Sequence, residues 1–263
     1  MLTWLYVPGD RPDMYSKAAE SGADVVIVDL EDAVVPAGKD AARRAVSEWL
    51  PYAAPGIVEV RVNAAGTPWV ADDLEAVGDL AAVRLPKVES ADDVRAAADL
   101  TGVGITCLLE TALGVERAFE IAIAHPRVVA IGLGEADLAS DLGTDALDWP
   151  RSRVVVAARA AGLPPPAMSV YPNVDDLDGL ASSCRRGRAL GFRGRAAIHP
   201  RQVPVIRDAF RPSADEVADA QALLAAFTQA AQAGRGVTVL PDGRMVDVAM
   251  IGRARRILDD AQR

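Results

Sequence analysis

Short apolar runs rich in β-branched residues recur along the first two hundred residues. Each ends in polar residues or in Gly and Pro, which is the pattern of buried strands. The runs are Leu2–Val7, Val25–Leu30, Ile57–Val62, Ala82–Pro86, Gly104–Leu109 and Val128–Leu133, with weaker ones at Ala167–Val170 and Arg195–Ile198. Ala-rich helical segments separate them: Pro12–Ser21, Lys39–Leu50, Trp69–Asp79, Ala91–Leu100, Ala112–Ala124, Pro150–Ala161 and Val174–Leu190. Strands that alternate with helices form a parallel sheet. About eight such units in this length predict a (β/α)₈ TIM barrel rather than an open sheet. The first strand ends in Pro8-Gly9-Asp10-Arg11, which lacks the Gly-rich phosphate turn of a dinucleotide-binding fold.

The polar residues fall at the strand ends, where a barrel places its active site. Asp10 and Arg11 follow the first strand, and Asp29, Glu31 and Asp32 the second. Arg61 and Asn63, Lys87 and Glu89, Glu110, Glu135 and Asp137, and His199 follow later ones. A purely structural barrel gains nothing from so many desolvated charges, so the mouth is the predicted active site.

Beyond residue 210 the pattern changes. Ser213 is placed to cap a long Ala-rich helix, Ala214–Ala233; Asp242-Gly243 lies between two short apolar runs as in a hairpin; and a last helix covers Ala249–Gln262. The expectation is a barrel domain over 1–210 and a helix-hairpin-helix extension over 211–263, which is either a cap or an oligomer-forming arm.

Composition removes several classes. The 263 residues carry 28 Lys+Arg against 37 Asp+Glu, a net charge of −9, which opposes general nucleic-acid binding. No apolar run reaches the length of a membrane span, and the N-terminus lacks a basic leader pattern. With two cysteines, Cys107 and Cys184, a disulfide framework is excluded; Cys107, in an apolar run, is read as core. The expectation is a cytoplasmic protein without membrane or nucleic-acid partners.

Glu110 and Asp137 end neighbouring strands, and two carboxylates facing one cavity repel unless a cation lies between them. Oxygen ligands without a Cys or His cluster favour Mg²⁺ over zinc. The alternative is that Glu110 caps the helix from Ala112. Asp29, Glu31 and Asp32 either hold metal-bound water, orient Arg61 or act as caps. Arg61, flanked by apolar neighbours, needs an acidic partner or an anionic ligand; both readings stand. Lys87 is read as a similar, weaker case. His199 is placed to shape the rim and His125 receives no role. Two histidines, one peripheral, exclude a nucleophilic triad.

The motifs VPGDRP, VVIVDLEDAV, VRVN, LPKVES, LLET, GLGEADLASDLG, RSRVVVAARAAGL, AIHPRQV and GRMVDV occur in this order. In order and spacing they resemble the citrate lyase β-subunit/malyl-CoA lyase family of the HpcH/HpaI aldolase superfamily, in particular its shorter stand-alone members. The resemblance implies a barrel of the phosphoenolpyruvate/pyruvate-binding type. It implies Glu110 and Asp137 as Mg²⁺ ligands, Arg61 as a substrate-binding and catalytic arginine, and Asp247 as an acid/base residue delivered to a neighbouring subunit. Asp10, Arg11, His199 and the Ile198–Gln202 loop fall where substrate and its thioester carrier are held. A homotrimer or homohexamer is implied.

The implied activity is carbon–carbon lysis of a 3-hydroxyacyl thioester such as malyl-, citramalyl- or citryl-CoA, giving a 2-oxo acid and an acyl thioester. Three alternatives share the site: a malyl- or citramalyl-CoA thioesterase or malate-synthase-like enzyme, a citryl-acyl-carrier-protein lyase subunit, and a non-catalytic acyl-CoA-binding regulator.

Overall fold

The computed structural model describes residues 1–54 and 56–261. Gln262, included in the expected last helix, lies outside the described residues. The chain divides into two compact units, Met1–Phe210 and the part from Arg211 onward.

The first unit is built on seven parallel strands: β1 (Thr3–Pro8), β2 (Val25–Asp29), β3 (Val58–Arg61), β4 (Ala82–Leu85), β5 (Ile105–Leu109), β6 (Val128–Leu133) and β7 (Arg195–Ala197). Their order in the sheet is β6-β5-β4-β3-β2-β1-β7. The helices between them are α1 (Tyr15–Ala19), α2 (Lys39–Trp49), α3 (Val70–Val77), α4 (Ala91–Leu100), α5 (Ala112–Glu116), α6 (Ala118–Ala122), α7 (Glu135–Leu142), α8 (Asp148–Ala160), α9 (Leu177–Leu190) and α10 (Gln202–Phe210).

The period of two along each strand divides the sheet into an apolar face and a polar one. Leu5, Val7, Val26, Val28, Val58, Val60, Val83, Leu85, Ile105, Cys107, Leu109, Ile131 and Leu133 belong to the main core cluster, together with Val46, Leu74, Val94 and Val154 from the helices. Cys107 is fully buried there, as its apolar run predicted. The alternate positions carry Tyr6, Asp29, Glu59, Arg61, Arg84 and Thr106. The other face of the sheet is therefore lined with charge, and the polar residues at the strand ends continue that lining.

The sequence predicts about eight strands, and the sheet has seven. The segment Ala167–Val170 makes one parallel bridge, Met168 to Arg195 at the free edge of β7. Adding it there reproduces the strand order of an eight-stranded barrel, but among the described residues no ladder joins it to β6. The cause is local: Pro164, Pro165 and Pro166 precede it and Pro172 follows, so the flanking chain has no N–H to offer a ladder. What remains is Met168 N donating to Gly194 O (3.0 Å) and Met168 O accepting from Ala196 N (2.9 Å).

α4 matches its predicted span because Ser90 and Asp93 form a reciprocal capping box. The expected helix Ala112–Ala124 is two short ones, broken at Arg117. α7 was not expected: Leu138 is its single buried residue, so its sequence carries no apolar stripe for a period to reveal.

The second unit comprises α11 (Ala214–Gln232), the hairpin β8 (Thr238–Val239) with β9 (Met245–Val246), and α12 (Val248–Ala261). Ala220, Leu223, Leu240, Val246, Ile251 and Ala254 form its own small core. Ser213 and Glu216 make a second capping box at the start of α11. Arg244 clamps the hairpin, pairing with Asp219 of α11 and with Asp242 at 2.6 Å. Among the described residues no helix is long and apolar enough to cross a membrane.

Candidate active site

At the ends of β2 and β3 the backbone register sets Asp29 opposite Arg61. The carboxylate of Asp29 accepts two bonds from Arg61, from Nε at 2.7 Å and from Nη2 at 2.6 Å. Asp29 also accepts from the N–H groups of Glu31 (2.9 Å) and Ala33 (3.2 Å), which fixes the turn that follows β2. The remaining edge of the guanidinium, Nη1, lies 2.9 Å from Glu31 and 3.6 Å from Asp32. Tyr6 of β1 lies under the guanidinium at 5.2 Å. Arg61 thus sits among three acids. Burial works against its charge, and the Asp29 bonds with the field of Glu31 more than offset that, so its pKa is raised. Both readings of Arg61 hold in part: it has buried acidic partners, and it stands at the mouth.

Lys87 follows β4. Its ammonium donates to Glu31 and, at 3.2 Å, to Asp32. Its backbone is left-handed (φ 53°), unique among the described non-glycine residues. This conformation is strained for a residue with a Cβ. It directs the Lys87 N–H toward Oε2 of Glu110 at 3.2 Å.

Glu110 follows β5 and is 1% exposed. It does not cap α5; the side chain of Thr111 does, accepting from Gly114 N at 3.2 Å. Burial pushes the Glu110 carboxyl up to about 8, and the charges of Glu31 and Asp137 push the same way, while Arg61 and Lys87 oppose them. Asp137 lies in the first turn of α7, a turn beyond the strand end where the sequence placed it, close enough for its charge to act on Glu110. Neither Glu110 nor Asp137 has a cationic partner within ion-pair distance among the described residues. Gly134 makes the approach possible: a Cβ there would lie 2.6 Å from Glu110 Cγ, so only glycine leaves room for this carboxylate.

The donor set at this point is two carboxylates, one buried and held against its own ionisation, with no Cys or His beside them. Oxygen donors with room for water and substrate oxygens fit a hard divalent cation such as Mg²⁺. Four other acids near it have cationic partners within the chain. Asp29, Glu31 and Asp32 have Arg61 and Lys87, and Glu135 receives two bonds from Arg151, at 2.9 and 2.6 Å.

A supporting layer escaped the sequence reading. Lys39 of α2 is buried and donates to the carbonyls of Leu30 (2.9 Å) and Glu31 (3.0 Å), with the Trp69 ring at 5.1 Å. Asn63 donates to Leu30 O (3.1 Å) and to Asp73 (2.6 Å), and Asp73 is held by Arg43 at 2.9 Å. These residues fix the backbone that presents Glu31. The sign available in the sequence is spacing: Lys39 stands three and seven residues before Ala42 and Val46, on the face that α2 buries. On the neighbouring strand, in register with Arg61, Arg84 donates to Glu59 at 2.7 and 3.0 Å.

The remaining predicted residues are not gathered into this cluster. Asp10 and Arg11 are exposed after β1, and Arg11 pairs with Asp13 at 2.9 Å. His199 is exposed after β7, where its Nδ1 accepts from Arg201 N at 3.1 Å. Gln202 ties this loop together: Oε1 accepts from Ile198 N (3.0 Å) and Nε2 donates to Tyr171 O (2.9 Å). Asp247 belongs to the second unit, where it is half-buried and Oδ1 accepts from Ala249 N at 2.9 Å at the start of α12.

Known proteins resemble this chain over most of its length. The model of the HpcH/HpaI aldolase/citrate lyase family matches residues 2–200. A (3S)-malyl-CoA thioesterase of Cereibacter sphaeroides is 40% identical over 98% of this chain and 93% of its own length. An L-malyl-CoA/beta-methylmalyl-CoA lyase of the same species is 34% identical over the same shares. Among solved structures, protein CitE from Mycobacterium tuberculosis in complex with magnesium, acetoacetate and coenzyme A superimposes with a TM-score of 0.87. It is 37% identical and aligned over 100% of this chain and 98% of its own.

Proposed function

The chain belongs to the HpcH/HpaI aldolase/citrate lyase family, and from that premise we propose that it is a Mg²⁺-dependent carbon–carbon lyase acting on a 3-hydroxyacyl-CoA thioester. The observation that carries this reading is the pair Glu110 and Asp137, one buried and the other close enough to act on its charge, with no ion-pair partner for either among the described residues. The solved relative with magnesium, acetoacetate and coenzyme A supports it from outside.

Glu110 and Asp137 would hold the metal, which when bound supplies Lewis acidity toward the oxygens of the 2-oxo-acid half and a template for them. Arg61 is fixed by Asp29, with its Nη1 edge against Glu31, and its charge would offset negative charge that develops on substrate oxygen. In cleavage a base takes the hydroxyl proton at C3 and the C2–C3 bond breaks. The C3 oxygen becomes the carbonyl of the 2-oxo acid, and the electron pair passes to the thioester half as an enolate, which is then protonated at C2. Asp247 of a second copy is the proposed base: among the described residues no cation lies within ion-pair distance of it, and its unit follows the barrel in the chain. The reading thus includes a homotrimer or homohexamer in which residues 211–263 of one subunit close the mouth of another over residues 1–210 and exclude water. Asp10, Arg11 and His199 are proposed to contact the carrier end of the substrate.

A second reading uses the same residues. The likeness to a (3S)-malyl-CoA thioesterase favours hydrolysis, in which water attacks the thioester and free CoA leaves. Malyl-, methylmalyl-, citramalyl- and citryl-CoA, incubated with Mg²⁺ and assayed for 2-oxo acid and free thiol, separate the two. Release of 2-oxo acid without thiol is the lyase result, whereas free CoA without 2-oxo acid contradicts it. Exchanging subunits between inactive Asp247→Ala and inactive Arg61→Ala proteins should restore part of the activity. Confirmed exchange with no recovery removes Asp247 from the reaction.

A further inference from the structure

The mouth holds more acid than one divalent cation needs. Asp29, Glu31, Asp32, Glu110, Glu135 and Asp137 all stand at or beside the ends of β2, β5 and β6. Any two of the unpaired ones offer oxygen ligands to a hard cation, so something must decide which two do. Arg61 is committed to Asp29 by two bonds, and Arg151 to Glu135. Glu31 and Asp32 share only the Nη1 edge of Arg61, at 2.9 and 3.6 Å, so they remain as a competing pair, adjacent in sequence and both within reach of one ammonium. That ammonium belongs to Lys87, which bonds to each of them. The residue is also the one whose left-handed backbone sends an N–H to Glu110. The Glu31 oxygen that faces Arg61 Nη1 at 2.9 Å is buried and accepts no hydrogen bond of good geometry, so this carboxylate keeps acceptor capacity that a cation could use.

We propose that Lys87 is a positioning residue that selects the metal site: its ammonium withholds Glu31 and Asp32 from a divalent cation, while its backbone N–H steers Glu110 toward one. The inference rests on the reading of Glu110 and Asp137 as metal ligands. The strain at Lys87 then has a function, because a relaxed backbone would turn the N–H from Glu110 and move the amine from its two acids. The side chain is 40% exposed, so water alone would not hold its amine in place; the two carboxylates do.

The role gives the opposite signature from ordinary structural support. Removing a supporting residue weakens ligand binding. Removing Lys87's charge should strengthen cation binding and misplace it. Mn²⁺, counted by electron paramagnetic resonance and by titration calorimetry, is the probe. Wild-type protein should bind one Mn²⁺ per chain. Lys87→Met should bind a second, or bind the first at least three-fold more tightly, while kcat falls at least ten-fold. Lys87→Gly suits the left-handed backbone and also lacks the amine, so it should fold and show the same gain. Lys87→Arg should return binding to the wild-type stoichiometry, and adding Asp32→Asn to Lys87→Gly should abolish the gain. Unchanged or weaker Mn²⁺ binding in folded Lys87→Met or Lys87→Gly overturns the proposal. Failure of the wild-type protein to bind any Mn²⁺ would instead overturn the reading of Glu110 and Asp137.

Discussion

Two Arg–acid pairs lie side by side on the same sheet, their arginines in register. Arg84 and Glu59, on β4 and β3, form a closed pair in which one cation meets one anion. Arg61 and Asp29, on β3 and β2, make an equally tight pair, but Glu31 and Asp32 crowd the same guanidinium. The Arg84 pair is balanced and the Arg61 cluster is not. A buried pair that satisfies itself contributes little net stability and can be replaced by apolar residues of similar size. An excess of acid that the chain cannot neutralise signals a ligand of opposite charge. The balance of charge, rather than the presence of charge, therefore separates scaffold from site.

The strongest way to break this contrast is to remove the unbalanced acid. Glu110→Gln should lower kcat/KM by about a thousand-fold or more and abolish Mg²⁺ binding, while leaving the metal-free fold no less stable, since a buried carboxyl loses its charge. Calorimetric titration with Mg²⁺ and a thermal melt check both halves.

Next in size is the paired comparison of the two arginines. Arg61→Ala should cost about a hundred-fold in kcat/KM and, by stranding buried Asp29, about 3–5 kcal/mol of stability. Read from sequence alone, Arg61 would serve the ligand with little effect on melting; its two bonds to Asp29 correct that expectation. Replacing Arg84 and Glu59 together by Met should leave kcat/KM within about three-fold and stability near wild type. Denaturant melts with steady-state kinetics test the pair, and equal catalytic losses in both cases would erase the distinction.

Gly134→Ala sharpens the account of how Glu110 is seated. Its Cβ would intrude on the Glu110 side chain, so Mg²⁺ affinity and kcat/KM should each fall about ten-fold, with a stability loss of about 1–3 kcal/mol. Unaltered Mg²⁺ affinity would mean that Glu110 has another way to reach the cation.

The smallest expected effect is a pH dependence. In the metal-free fold the Glu110 carboxyl is raised to about 8 from an ordinary value near 4.5, chiefly by burial. The folded state therefore holds this proton more firmly than the unfolded chain. Its stabilising contribution is complete below about pH 4 and is lost as pH rises through about 8. The melting temperature in EDTA should fall over that window, and saturating Mg²⁺ should remove most of the fall.

Much of this was legible beforehand, for identifiable reasons. β-branched runs that end in charge located β1 to β6, and Asp242-Gly243 located the hairpin of the second unit. The acids at the ends of β2 and β5 were placed because a strand end fixes position within a residue or two. Asp137 was shifted by a helix that has no apolar stripe, and the strand at Ala167–Val170 was suppressed by the surrounding prolines. Lys39, Asp73 and Arg151 were not found because their roles depend on partners 8 to 16 residues away or on another element. Nothing in local pattern encodes such pairings. Gly134 offered one weak sign, a glycine at the end of a strand.

The central claim is that Glu110 and Asp137 share one divalent cation because they lie near each other with no ion-pair partner among the described residues. A crystal grown with Mn²⁺, with the ion located by its anomalous scattering, tests this most directly. The account predicts one ion bridged by the two carboxylates, with oxygen-to-metal distances of about 2.1–2.2 Å. An ion seated on Glu31 and Asp32 with Lys87 displaced, or Glu110 and Asp137 turned to separate, unbridged positions at saturating Mn²⁺, would contradict it.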